Sequence, residues 1–144
     1  MARAEYEVKV VTPEGEVWSG AAVSTVIPGS DGYFGVWSGH APLIAGMDIG
    51  AVMVMDVDSV IHIIAVSGGF VEVSRDGVTV LAESAELGEG IDTIRVDHAL
   101  DRARERLSGH FSEIDLERAE VALRKALNRK RVEQRAKEKP TSLL

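Results

Sequence analysis

Cysteine is absent from the 144 residues. Its absence excludes a disulfide framework, a thiolate metal centre and a cysteine nucleophile, and it fits a reducing compartment. Long apolar runs are missing as well. The longest nearly unbroken one, Val60–Val66, is interrupted by His62 and is far too short to cross a bilayer. The N-terminal MARAEYEV has neither the apolar core of a signal peptide nor the Arg/Ser-rich pattern of a transit peptide. These absences predict a soluble protein that is not exported.

Catalytic signatures are equally scarce. There is no G-x-x-x-x-G-K-[ST] phosphate loop, and residues 1–88 contain one lysine, Lys9. Gly68-Gly69 follows Ser67, but no G-x-G-x-x-G continues from it. Ala65 stands where a nucleophile elbow around Ser67 would need glycine. A bulge or a tight backbone approach is therefore the reading for the glycine pair. His40, His62, His98 and His110 occur singly, and only His98 sits among carboxylates, beside Asp97 and Asp101. No acid–base pair with a supporting third group can be assembled, so no catalytic residue and no metal site is expected.

What the chain does have is an uneven charge. Its net charge is −7. Residues 1–88 hold three basic residues against twelve acidic ones, whereas residues 89–144 hold thirteen against eleven. The chain thus divides near 88–91 into domains 1–88 and 89–144. The acidic first part argues against nucleic acid as a partner, and the second is too mixed in sign to argue for it.

The two parts also differ in periodicity. In YEVKVV, Tyr6, Val8 and Val10 alternate with Glu7 and Lys9, as in a half-buried strand. Pro13-Glu14-Gly15 predicts a turn, with Glu16–Ser19 returning as a short partner. Further strands are predicted at Ala22–Ile27, Ala51–Met55, Ser59–Val66, Phe70–Val73 and Val78–Ala82. Asp76-Gly77 predicts a hairpin of type I′. Many short strands with no helical pattern between them indicate an antiparallel sandwich or barrel. From Asp92 the period becomes helical, with Val96, Leu100, Ala103 and Leu107 on one stripe. After the break at Ser108-Gly109-His110-Phe111, Ser112 and Asp115 have the spacing of a capping box. The second helix carries Leu116, Ala119, Leu123, Ala126 and Leu127 on its apolar side, and the segment beyond Arg129 is expected to fray. The fold class is α+β: an antiparallel β-sandwich followed by an antiparallel two-helix hairpin.

Two segments hold candidate functional residues. In SDGYFGVWSGHAPLI, Ser30–Ile44, the aromatics either enter the core or form an exposed loop that contacts a partner. On the first helix, Arg95, Arg102 and Arg106 are seven and four apart, on one face, and Lys125 and Arg129 repeat the last step on the second. Apposed, these cations repel one another unless an anion fills the gap. The alternative is that Asp92 caps the helix while the arginines pair in solvent with Asp101, Glu105 and Glu120.

The order of motifs resembles the epsilon subunit of bacterial F-type ATP synthase. The match runs through VVTPEGEVWSG (Val10–Gly20), DGYFGVWSGHAPLI (Asp31–Ile44), VSGGFVEV (Val66–Val73) and VTVLAESAE (Val78–Glu86). It continues through IDTIR (Ile91–Arg95) and DLERAEVALRKALNR (Asp115–Arg129). The resemblance implies a non-catalytic central-stalk subunit, peripheral to the cytoplasmic face of the bacterial membrane. Its partners would be the gamma subunit, the ring of c subunits and, when the hairpin extends, the catalytic alpha/beta head, where the hairpin blocks ATP hydrolysis. Asp31, Tyr33, His40 and Pro42 would lie at the end facing the ring.

No cofactor is required by the resemblance, but in some members ATP holds the hairpin down as a regulatory ligand. Carried over residue by residue, that site would comprise Glu86, Ile91, Asp92, Arg95, Arg102, Lys125 and Arg129. Val96 stands where the motif has alanine, and Lys125 where tight-binding members have arginine. A reading from another class is a free-standing nucleotide or small-molecule sensor with a helical lid.

Overall fold

The computed structural model describes residues 4–109 and 112–143; His110 and Phe111, in the expected helix break, lie outside the described residues. Seven strands come first: β1 (Tyr6–Thr12), β2 (Gly15–Gly29), β3 (Gly32–Val36), β4 (Leu43–Asp56), β5 (Ile61–Ser74), β6 (Gly77–Ala82) and β7 (Ala85–Leu87). A single 3-10 turn at Gly88–Gly90 leads into α1 (Thr93–Leu107) and then α2 (Glu113–Lys137).

The sheet order is β1-β6-β5-β4-β2-β3, and β1 also pairs with β2, so the path closes on itself into a barrel. Pairing is antiparallel except between β1 and β6, which run parallel. Closure leaves β1 no free edge, since β2 hydrogen-bonds on one side and β6 on the other. β2 is long enough to serve two neighbourhoods: Gly15–Ala22 pairs with β1, and its second half pairs with β4 and β3. This explains why the two expected strands Glu16–Ser19 and Ala22–Ile27 form one. Ile61–Val66 of the expected Ser59–Val66 strand and Phe70–Val73 likewise belong to β5, which bends at Gly68-Gly69 rather than ending there, while Ser59, with φ 64°, and Val60 stay in the β4–β5 turn.

Both glycines of that pair have positive φ, and a Cβ on Gly69 would come within 2.1 Å of the Leu81 carbonyl oxygen. The tight backbone approach expected from the sequence is therefore present at Gly69. The β5–β6 hairpin forms too, but not as type I′: Ser74 pairs with Gly77, and neither Arg75 nor Asp76 takes a positive φ. Gly77 instead has φ +146° and packs its α-carbon so close to β1 that a Cβ would meet the Glu7 carbonyl oxygen at 2.0 Å. The glycine answers to the β1–β6 contact, not to the turn.

The barrel interior is an almost purely aliphatic cluster, including Val8, Val10, Ile27, Val36, Val52, Val54, Ile64, Val66, Val71 and Val80. Each such side chain contributes about 1.5–3 kcal/mol on leaving water. The residues between them on β2, β4 and β5 are also apolar: Val26, Met53, Ile63 and Ala65 face outward and pack under the helices with Val96, Leu100, Ala126 and Val132. Runs such as Val52-Met53-Val54 are continuous because one side faces the barrel and the other faces the hairpin.

The helices are antiparallel. Thr93 at the start of α1 bonds Glu133 near the end of α2, and Asp97 meets Lys130 one turn on. Asp92 is the N-cap of α1, its Oδ1 accepting from the Ile94 and Arg95 amides; Ser112 caps α2 by accepting from the Asp115 amide. The segment beyond Arg129 does not fray. α2 continues to Lys137, with Val132 and Glu133 buried, because its last turns pack on the 3-10 turn at Gly88. Leu116, expected on the apolar side, is 40 % exposed.

Candidate functional site

α2 lies on β4 and β5 with Ala126 and Val132 downward and a basic edge on each side. Lys125 and Arg129 form the edge toward β7. Asn128 anchors the helix between them and the barrel, donating to the carbonyl oxygens of Gly50 (2.8 Å) and Val66 (3.4 Å). A cleft of about 470 Å³ opens along this edge, between α2, Ala99 of α1, and the β5–β7 margin. Small side chains (Ala65, Ala85, Ala99, Ala122, Ala126) leave the room, and Glu86, Lys125 and Arg129 supply its charge. The Ser67 and Ser84 hydroxyls, hydrogen-bonded to each other, add a polar margin.

Glu86 and Arg129 face each other across the cleft in a two-pronged ion pair. Arg129 Nε donates to Glu86 Oε2 at 2.8 Å and its Nη2 to Oε1 at 3.2 Å. Both side chains are about one-third exposed, so the pair orients the guanidinium more than it stabilises the fold. Lys125 has no ion-pair partner among the described residues.

The other residues expected at this site are placed differently. Ile91 is buried in the cluster beneath the hairpin, and Asp92 is committed to capping α1. Arg95 and Arg102 are exposed and do not line the cleft, but they stand four before and three after Ala99, which does. Those spacings put both on the cleft's side of α1, one turn to either side of its wall. Val96 is fully buried among the helix–barrel contacts rather than in the cleft. Among the described residues, Arg95, Arg102 and Arg106 form no ion pair with Asp101, Glu105 or Glu120.

Of the residues expected to face the ring, Asp31 is at the β2–β3 turn and His40 and Pro42 are in the β3–β4 loop. The five residues of β3 separate these segments, roughly 15 Å of strand, so they occupy opposite ends of β3. Tyr33 is 58 % exposed and accepts from the Ala51 amide at 3.1 Å, holding it against β4. Trp37 is 64 % exposed and donates to Ser24 Oγ, whereas Phe34 packs against the barrel core. The aromatics therefore split between surface and interior.

Two polar arrangements are not evident in the sequence. Asp56, at the end of β4, accepts from His62 Nε2 at 2.8 Å and from the Asp58 and Val60 amides. Burial opposes ionisation there, but those hydrogen bonds prevail and hold the carboxyl below its ordinary value. The signal would have been hairpin register: Asp56 and His62 are six apart but join across the β4–β5 turn. Glu133, 2 % exposed, takes hydrogen bonds from Lys137 and Thr93 that hold its carboxyl below the ordinary range. Lys130 is raised above its usual value by its hydrogen bond to Asp97. Among the described residues no cluster of histidines and carboxylates could hold a metal ion, and no helix is long and apolar enough to cross a membrane.

Comparisons with known proteins agree with this architecture. Residues 5–88 match the family described as ATP synthase, Delta/Epsilon chain, beta-sandwich domain, and residues 89–134 match its long alpha-helix domain. The ATP synthase epsilon chain of Desulforamulus reducens is 43% identical over 120 residues, covering 83% of this chain and 90% of that one. That of Halalkalibacterium halodurans is 45% identical over 123 residues, 85% of this chain and 92% of the relative. The epsilon chain of Syntrophomonas wolfei is 40% identical over 140 residues, 97% and 99% of the two chains. Among solved structures, a chain of the Euglena gracilis mitochondrial ATP synthase superposes with a TM-score of 0.77 at 21% identity, covering 91% of this chain and 82% of that one. A chain of the Tetrahymena thermophila mitochondrial ATP synthase central stalk and c-ring does so at 0.64 and 11% identity, covering 92% and 99%. A closed barrel capped by a docked helical hairpin, matched along almost its whole length by bacterial relatives, places the chain in the ATP synthase delta/epsilon family as a non-catalytic, epsilon-type subunit.

Proposed function

We propose that this chain couples the rotor of an F-type ATP synthase to its membrane ring and restrains ATP hydrolysis through its hairpin, which ATP steadies in the docked position. The gamma subunit and the c-ring are its standing partners, and the catalytic head is its partner when the hairpin lifts. It works at the cytoplasmic face of the membrane without entering it. Asp31, Tyr33, His40 and Pro42, on the β2–β3 turn, β3 and the β3–β4 loop, are its contacts to the ring.

The observation that supports ATP sensing most is the cleft. Lys125 and Arg129 face Glu86 across a gap walled by alanines, and Arg95 and Arg102 flank its mouth on α1. A polyphosphate entering there meets Lys125 and draws Arg129 away from Glu86, leaving the Glu86 carboxylate as an acceptor for ligand donors. Lys125 offers a point charge rather than a planar fork, so binding is weaker than with arginine at that position. The docked hairpin already has protein contacts across the interface, as expected of a two-state element that a ligand only biases.

Calorimetric titration of the full chain with ATP tests the site. Saturable heat is expected, reduced about tenfold in affinity by Arg129→Ala and less by Arg95→Ala. Absence of heat at ATP concentrations on the order of a millimolar would overturn ATP sensing while leaving the stalk role intact. Co-purification of the tagged chain with gamma and c subunits tests that role.

A further inference from the structure

The opposite edge of α2 borders a second cleft, of about 740 Å³, whose floor is the outer face of β2, β4 and β5. Val26, Met53 and Ile63 form the apolar base, with Leu127 above. Arg124, Arg131 and Arg135 line its upper wall, and among the described residues no carboxylate lines it. They stand seven and four residues apart, which puts all three on one helix face. Among the described residues only Arg124 of the three is paired to an acid, Asp48, at 3.1 Å and largely in solvent. Arg131 has no ion-pair partner among the described residues. Arg135 reaches the Ser142 carbonyl oxygen with Nη2 at a long 3.4 Å, and its Nε is buried without any hydrogen-bond partner.

A buried guanidinium N–H with nothing to donate to indicates an acceptor that belongs there. Two guanidiniums one turn apart, without a carboxylate, repel each other until an anion bridges them. The floor beneath them is apolar and would bury a hydrocarbon or flat body, not a second charge. We propose that this cleft binds an amphipathic anion, its phosphate or carboxylate head bridging Arg131 and Arg135 and its apolar body lying on Val26, Met53 and Leu127. The site differs from the Lys125–Arg129 cleft in every charged residue that lines it, the two clefts sharing only Asn128 of α2. Since its walls are α2 on one side and barrel strands on the other, an occupant also fastens the hairpin to the barrel, independently of ATP.

Octyl phosphate, below its micellar concentration, is the probe, with inorganic phosphate and octanol as partial mimics. The full chain is expected to bind octyl phosphate at least tenfold more tightly than either mimic, with both halves of the molecule contributing. Arg131→Ala, at an exposed position, and Arg135→Gln are each expected to weaken binding about tenfold. Saturating ATP is expected to leave the octyl phosphate affinity unchanged or raise it. Equal affinity for octyl phosphate and inorganic phosphate would overturn the proposal, as would wild-type affinity in the Arg131→Ala chain. Mutual exclusion by ATP would do so too, by showing one shared site.

Discussion

At the scale of single residues, the charged group most deeply committed to the docked hairpin is Glu133. It is buried on α2 yet ties together Thr93 of α1 and Lys137 of its own helix. Its carboxyl is held below the ordinary value, as is that of Asp56, so folding favours the ionised forms. The stability they confer is complete above the unfolded carboxylate range of about 4 and is lost progressively as pH falls from there through their lowered folded-state values. In urea titrations of the full chain between pH 7 and pH 3.5, Glu133→Gln is expected to lower stability by about 1–2 kcal/mol at pH 7. The gap to the wild type should narrow as the pH drops, and a constant gap would assign the loss to packing instead. Nothing in the sequence distinguishes Glu133 from the other acids of a mixed-charge helix. Its neighbour in space, Thr93, is 40 residues away in sequence. Gly69 and Gly77, by contrast, were legible as special positions, although Gly77 answers to a β1 contact that no local turn rule contains.

Elements were legible where the pattern is local. Asp92 and Ser112 cap the helices that the sequence predicts, because capping needs only residues two or three apart. The second half of α2 was not legible. Its contact strip after Arg129 narrows to Val132, Glu133 and Ala136, too few apolar residues to register as a stripe. Gly88 is what makes the strip sufficient: without a Cβ there, Val132 and Ala136 approach the barrel margin closely. A chain ending at Lys130 loses these contacts while keeping every strand and all of α1. Losing the Val132 burial alone costs about 1.5–3 kcal/mol of docking, so amides of α1 should exchange roughly ten- to a hundredfold faster. Barrel amides should keep their protection. Unchanged α1 exchange would mean that the last turns of α2 are passengers.

For the whole molecule, the division at 88–91 is visible in charge and period, but the sequence does not say that the two parts share a core. The barrel has its own interior cluster and closes its own hydrogen-bond ring, so nothing inside it depends on the hairpin. Its outer face is another matter: Val26, Met53, Ile63 and Ala65 are covered by α1 and α2 in the docked state. Lifting the hairpin, as the proposed restraint requires, would expose that patch, so an extended state needs the helices to gain comparable contacts elsewhere. A chain limited to residues 1–88 should therefore remain folded, with strand-type circular dichroism and a cooperative melt, but bind a hydrophobic dye that the full chain excludes. Reconstituted into the ATP synthase complex, it should also hydrolyse ATP several-fold faster if the hairpin restrains hydrolysis as proposed, because it lacks α1 and α2. These two readouts separate the folding of the barrel from restraint by the hairpin. A molten barrel would show that the hairpin completes the fold, whereas a folded barrel with unchanged hydrolysis would show that the docked hairpin is structural and does not restrain the enzyme.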